Sequence, residues 1–390
     1  MDSPRKFINL NTLIISLIKC LLVATSFILP APVFADTNQE STCYSKYKAG
    51  DYDSALSICT KAAEQGYVTA QTNLGLMHVN GFGVPQDYKQ AIYWYTKAAE
   101  QGYAIAQYNL VIMYINGIGT TQDDKQAIYW YTKAAEQGHV KAQYNLGFMH
   151  DSGQGTPQDD KQAIYWYTKA AEQGYAIAQL TLGFRYENGD SVPQDDKQAI
   201  YWYTKAAEQG NASAQSTLGY RYEDGFGVPQ DDKQAIYWHT KAAEQGDDSA
   251  QLTLGIMYGN GQGTPQDYKQ AIYWYTKAAV QGNASAQLTL GYRYYNGIGT
   301  PKDYKQAIYW YTKAAEKGKV KAQYNLGIMY DIGQGKPKDN VMAYVWLNIA
   351  AAQGHENAKK TRELIEEIMT PNQIAEAQKL SKEYYARYVK

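Results

Sequence analysis

Three cysteines and five histidines among 390 residues leave little from which to build a metal centre. The histidines (His78, His139, His150, His239, His355) fall at no ligand spacing, so no metal site is expected. No glycine-rich loop leads into a Lys-Ser/Thr pair at a helix start, which excludes the common phosphate cradle. No cofactor is expected. Charge of one sign is missing too: 37 basic and 38 acidic residues give a net charge of −1. That balance leaves no footprint for nucleic acid or an anionic membrane. No stretch alternates with period two, so strands are not expected.

Long apolar runs are scarce as well. A single run, Leu13 to Leu29, follows Arg5 and Lys6 and precedes Pro30 and a Val33-Phe34-Ala35 exit. Charge, length and small-residue exit make residues 1–35 a secretory signal peptide, cleaved after Ala35. Lys19 interrupts the run, and a retained anchor is the alternative, although the run is short for a span. Lys19 also spoils a lipoprotein pattern at Cys20. The sequence thus predicts a periplasmic or secreted protein with no membrane association after cleavage.

What the chain has in abundance is repetition. DYKQAIYWYTKAAEQG, Asp87 to Gly102, recurs at Asp123, Asp159, Asp195, Asp231, Asp267 and Asp303. All eight tryptophans lie in these copies or in a worn last one, each 36 residues from the next (Trp94 to Trp346). A period without insertions means one structural unit stacked on its neighbours at a fixed geometry. It also overrides the two or three domains that length alone suggests.

Each unit reads as two helices. In the first, Asp87 and Gln90 stand as a D-x-x-Q start. Ala91, Trp94, Tyr95, Ala98 and Ala99 share one face, and Gly102 is the left-handed stop. This is helix B. Helix A follows from Ala104, with Ala106, Leu110, Met113 and Tyr114 on one face and Asn116-Gly117 as its end. Small residues bring the backbones close, while Trp94 and Tyr95 fill the space between neighbours. One αα-hairpin per 36 residues results.

These residues resemble the Sel1-like repeat family, relatives of the tetratricopeptide proteins. The resemblance rests on Ala91, Trp94, Tyr95, Lys97, Ala98, Ala99 and Gly102, then Ala106, Leu110, Tyr114, Gly117 and Gly119. It implies an all-α fold, a right-handed superhelical α/α solenoid whose A helices line the concave wall where partner segments dock. Departures are few: Val111 for Gly, His78 and His150 for Tyr, Thr121 for Pro, and Ser191 for the second loop Gly.

The ends are atypical. Residues 36–66 are expected to form an N-terminal capping repeat, with Ile58 and Cys59 in the Trp and Tyr slots. Cys43 and Cys59 fall abreast in a hairpin turning at Ala49-Gly50-Asp51 and are the two cysteines left after cleavage. A disulfide is expected there, with two free buried thiols as the alternative; the family resemblance favours the bond. Repeats occupy residues 67–354. Capping helices occupy 355–390, one opening at Thr370-Pro371-Asn372-Gln373.

No unlike groups converge into a catalytic set. Ser45-Lys46-Tyr47-Lys48 satisfies S-x-x-K, and some proteins resembling this one have been described as β-lactamases or penicillin binders. Yet S-D-N and K-T-G partners are absent. The protein is read as a non-enzymatic scaffold, with a β-lactamase-like or cell-wall-active enzyme as the alternative. The partner expected is a protein or peptide, and the scaffold itself is expected to be a monomer.

Units differ chiefly along helix A. Opposite Leu110 lie slots that carry Tyr108, Tyr144, Leu180, Ser216, Leu252, Leu288 and Tyr324 at one level, and Ile112, Phe148, Phe184, Tyr220, Ile256, Tyr292 and Ile328 at the next. A third slot exchanges Met for Arg185, Arg221 and Arg293, each between aromatic residues. Aromatic residues and arginine are enriched at binding hot spots. The expected partner surface is therefore Tyr108, Ile112, Tyr144, Phe148, Phe184, Arg185, Tyr220, Arg221, Tyr292 and Arg293. The competing reading gives the first two slots to packing between units and the arginines to bridging neighbours.

Overall fold

The computed structural model describes residues 38–389, among which there are twenty helices and no strand. The expected signal peptide lies outside the described residues. Two compact units divide the chain, one ending at Gln194 and the other beginning at Asp195. The first contains α1 (Asn38–Lys48), α2 (Tyr52–Glu64), α3 (Val68–Asn80), α4 (Tyr88–Glu100), α5 (Ala104–Asn116), α6 (Asp124–Glu136), α7 (Val140–Ser152), α8 (Asp160–Glu172) and α9 (Ala176–Asn188). The second contains α10 (Asp196–Glu208), α11 (Ala212–Asp224), α12 (Asp232–Glu244), α13 (Asp248–Asn260), α14 (Tyr268–Val280), α15 (Ala284–Asn296), α16 (Tyr304–Glu316), α17 (Val320–Ile332), α18 (Asn340–Ala352), α19 (Glu356–Glu366) and α20 (Pro371–Tyr388). Within each unit consecutive helices pack in tandem, as an α-solenoid requires.

Helix boundaries follow local chemistry. The Asp87 carboxylate accepts from the Lys89 and Gln90 N–H groups at the start of α4, and the equivalent Asp starts every later B helix. The full reciprocal capping box forms at Thr370 and Gln373. A helices end on a left-handed glycine, Gly117 for α5 (φ 63°).

The tightest pairing joins an A helix to the B helix after it. Gly147 of α7 lies so close to the Tyr167 ring of α8 that a Cβ would come within 2.8 Å of it. That contact seats the tyrosine. Tyr95, Tyr131, Tyr167, Tyr203 and Tyr311 are among the largest fully buried side chains. The adjacent tryptophans are less central: Trp130, Trp274 and Trp310 keep 8% exposure, while Trp94, Trp166 and Trp238 are half-buried. The space-filling role expected of both residues falls mainly to the tyrosine.

Glutamines tie one repeat to the next. Gln107 Nε2 at the start of α5 donates to the Ala99 carbonyl that ends α4 (3.0 Å). Its Oε1 accepts from Gln137 Nε2 at the end of α6 (2.8 Å). The same pair recurs as Gln71 with Gln101, Gln143 with Gln173, Gln215 with Gln245, Gln251 with Gln281 and Gln323 with Gln353. These amides satisfy buried polar groups that would otherwise cost free energy.

At the N-terminus Cys43 and Cys59 are joined by a disulfide across α1 and α2, 16 residues apart in sequence, and both are fully buried. At the other end Tyr384 and Tyr388 of α20 pack on Trp346, covering the last repeat.

Candidate functional site

The residues expected to meet a partner separate into three groups. Tyr108, Tyr144 and Ile112 serve packing. Ile112 and Tyr144 are only 6% and 4% exposed. The Tyr144 ring lies 5.3 Å from Tyr167 and 5.4 Å from Tyr175 of the next repeat. Tyr108 lies 5.9 Å from Tyr131 and 4.9 Å from His139. Burial pushes both the Tyr108 and Tyr144 hydroxyls up to about 12. Ile112 and Tyr144 are thus buried in the packing, and Tyr108 is half-buried. Facing away from Leu110 is not the same as facing solvent, because helix A is held between two neighbouring hairpins.

The arginines form the second group, and two of them visibly bridge repeats. Arg185 of α9 forms an ion pair with Asp151 of α7, and the Tyr167 hydroxyl also donates to that carboxylate (3.4 Å). Arg293 of α15 lies 5.4 Å from the Tyr268 ring and 5.1 Å from the Tyr275 ring, both on α14. Its guanidinium reaches Gly259 of α13, where a Cβ would stand 2.6 Å from Nη2. The residue two places after the Met/Arg slot of the preceding repeat is thus an acid or a glycine where a guanidinium must fit. Arg221 stacks over Phe226 (5.2 Å). Arg185 and Arg293 thus contact the preceding repeat, while the Arg221 stack lies within its own.

The third group remains at the surface. Phe148 and Phe184 are half-buried in the first unit. In the second unit Ile256 is 40% and Tyr292 52% exposed. Tyr220 is intermediate, its hydroxyl bonded to Thr253 Oγ1 (3.0 Å) and its ring edge-on to His239 (4.7 Å).

In the first unit Phe148 and Phe184 border a cavity of about 500 Å³. Asp151, Asp160, Tyr167, Thr181 and Arg185 contribute its polar lining, and the turn from Gly189 to Ser191 forms its rim. Nothing in helix periodicity marks this cavity, since it depends on the turn after α9.

A second surface escaped a reading centred on helix A. Tyr93, Tyr129 and Tyr165 in the first unit and Tyr201, Tyr237, Tyr273 and Tyr309 in the second are about half exposed on the B helices. Each stands edge-on to its neighbouring tryptophan, at 4.8–4.9 Å, with a lysine four residues on above its ring.

The S-x-x-K sequence does not assemble a nucleophile and base. The Ser45 hydroxyl donates to the Ser41 carbonyl (2.9 Å), and Lys48 Nζ stands 5.9 Å from the Tyr44 ring. Among the described residues no group of three His, Cys, Asp or Glu could hold a metal ion. No described helix is long and apolar enough to cross a membrane.

Comparison with known proteins agrees with this architecture. A family model for the Sel1 repeat matches residues 45–67, 68–103, 104–139, 140–175, 176–211, 212–247, 248–283, 284–319 and 320–355. A solved protective antigen of uropathogenic Escherichia coli strains, with an SLR fold, is 36% identical over 90% of this chain and 76% of its own (TM-score 0.73). A Sel1 repeat protein from Oxalobacter formigenes is 32% identical over 88% of this chain and 99% of its own (TM-score 0.64). No curated protein matches. Sel1 repeat proteins are in general protein-interaction scaffolds. With matched repeats running from residue 45 to residue 355 and a solenoid of A and B helices in each unit, the chain belongs to the Sel1 repeat family.

Proposed function

We propose that this protein is a non-enzymatic scaffold of the bacterial envelope or secreted fraction that holds an extended protein segment against its A helices. The observation that carries this reading is the apolar surface left on those helices: Ile256 and Tyr292 exposed in the second unit, with Phe148 and Phe184 half-buried at the same slot in the first. Their neighbours at the preceding slot are drawn into the packing. Apolar and aromatic side chains repeated at one slot of successive helices are the kind of surface that marks a protein-interaction site. Residues 1–35 act as the signal, 36–66 and 355–390 cap the array, and 67–354 carry the repeats. A buried disulfide near the mature N-terminus suits an oxidising compartment.

A photocrosslinking residue at position 292 tests the reading in cells. Adducts to a discrete protein are expected at 292 and not at 309, on a B helix. Equal labelling from both positions, or none from 292, would overturn it. The β-lactamase-like alternative requires β-lactam turnover that disappears in Ser45→Ala, and the backbone-bound hydroxyl of Ser45 disfavours it.

A further inference from the structure

The slot that holds Asp151 in α7 carries Glu187, Glu223 and Asp331 in later repeats. Asp151 is paired with Arg185 of α9, and Asp331 with Lys338 Nζ (3.2 Å). The arginine lies 34 residues after its acid. At the same remove from Glu223 stands Met257, fully buried and without charge. Glu223 has instead His239 of α12, whose Nε2 lies 3.8 Å from Oε2. The flanking repeats carry Tyr203 and Tyr275 in the place of that histidine.

The surroundings of His239 are closed. Its side chain is 0% exposed, and neither ring nitrogen has a hydrogen-bond partner among the described residues. The ring packs on Gly219, where a Cβ would stand 2.6 Å from Nδ1, and edge-on to Tyr220 (4.7 Å). Two helices, α11 and α13, pack against α12. On the first, Arg221 is stacked over Phe226. At the start of the second, Asp247 caps its own helix and Asp248 accepts from Asn283 Nδ2 (2.8 Å). Burial, with Asp247, Glu223 and Asp248 adding to it, raises the pKa of the Tyr220 hydroxyl, so the field at this joint is negative. A cation is called for where the arginine of other repeats is missing, and the imidazole is the group on hand to become one. Glu223, 25% exposed, connects it to solvent.

We propose that His239 and Glu223 form a proton-operated clasp between α11 and α12, closed when the imidazole takes up a proton from solvent and open when it gives it back. The protonated ring donates to Glu223 as Arg185 does to Asp151. The Tyr220 hydroxyl, bonded to Thr253 Oγ1 (3.0 Å), extends the joint to α13. The clasp is present in mildly acidic solution, while Glu223 is still ionised, and is lost as the pH rises. It works whatever the A-helix surface holds.

The test uses the mature full-length protein, isotope-labelled in histidine. The His239 ring resonance is the one missing from His239→Tyr, which restores the residue of the flanking repeats. In the folded protein that resonance is expected to titrate reversibly, and Glu223→Gln is expected to need about tenfold more acid for half-protonation. Amide exchange over residues 212–244 supplies the second readout. At about pH 5.5 it is expected to be several-fold slower in the parent protein than in Glu223→Gln, and at about pH 8 equal in the two. A ring that stays neutral until the protein unfolds, or a midpoint that Glu223→Gln leaves in place, refutes the clasp. So does equal exchange at the acidic pH.

Discussion

His139 shows how much one side chain can carry. It caps α7, with Nδ1 accepting from the Ala142 N–H (3.2 Å), while its ring lies against Tyr108. Burial, reinforced by nearby Lys141, lowers its pKa from 6.5 to about 4. Between those values the unfolded chain holds a proton that the folded one does not, so stability rises with pH there and is complete above about 6.5. Acidification from pH 6.5 towards 4 should therefore lower the urea midpoint. His139→Asn should flatten that dependence while leaving stability at pH 8 nearly unchanged, because Asn211 caps its helix in the same way. His78 and His150, also lowered by burial, keep part of the slope. An unaltered pH profile would refute the assignment. A second residue breaks the glutamine ladder. Lys317 stands where other B helices end in Gln, and bonds to the Gly282 carbonyl. The buried Gln287 Oε1 is left without a donor. Lys317→Gln should restore the bond and stabilise the protein by about 1 kcal/mol, measured by denaturant unfolding. Both features were visible in the sequence as letters, but their meaning was not. A histidine reads as a cap, and a lysine as a gap, only when the partner atom is known.

At the scale of the helix, the tyrosine beside each tryptophan is the better guide to stability. Tyr167 is 1% exposed and seated on Gly147, whereas Trp166 is half-buried. Tyr167→Ala should cost about 3–5 kcal/mol, with Trp166→Ala costing clearly less. The two variants can be ranked by chemical denaturation, and a reversed order would restore the tryptophan to the central place. Helix limits were legible because Asp starts and Gly stops act through adjacent backbone groups. Which faces of helix A meet solvent was not legible. Its periodicity places Tyr108, Tyr144 and Ile112 away from Leu110, yet a second hairpin covers that side. The contacts of the arginines were not legible either. Arg185 looks like a hot-spot residue until Asp151, 34 residues earlier, is seen beside it.

For the whole molecule, the repeat makes stability a sum of neighbouring contacts, so damage should stay near its source. The N-terminal cap offers the cleanest case. The Cys43–Cys59 bond closes a 16-residue separation, and constraint of a loop that size is worth about 3 kcal/mol in the chain-entropy account. Tyr47, Tyr52 and Phe82 pack together beside it, joining the first hairpin to the repeat that follows. Loss of the bond in Cys43→Ala, Cys59→Ala should therefore loosen α1 and α2 first and α3 less, with α16 to α18 unaffected. Amide hydrogen exchange resolves this directly. Faster exchange is expected from about residue 41 to residue 80, with protection unchanged beyond residue 300. Uniform loss along the chain would mean that the array unfolds as one cooperative body, and the nearest-neighbour account would then fail. Localised loss would allow the two ends to be altered independently of the A-helix surface, because a repeat passes instability on only through the contacts it makes with the next.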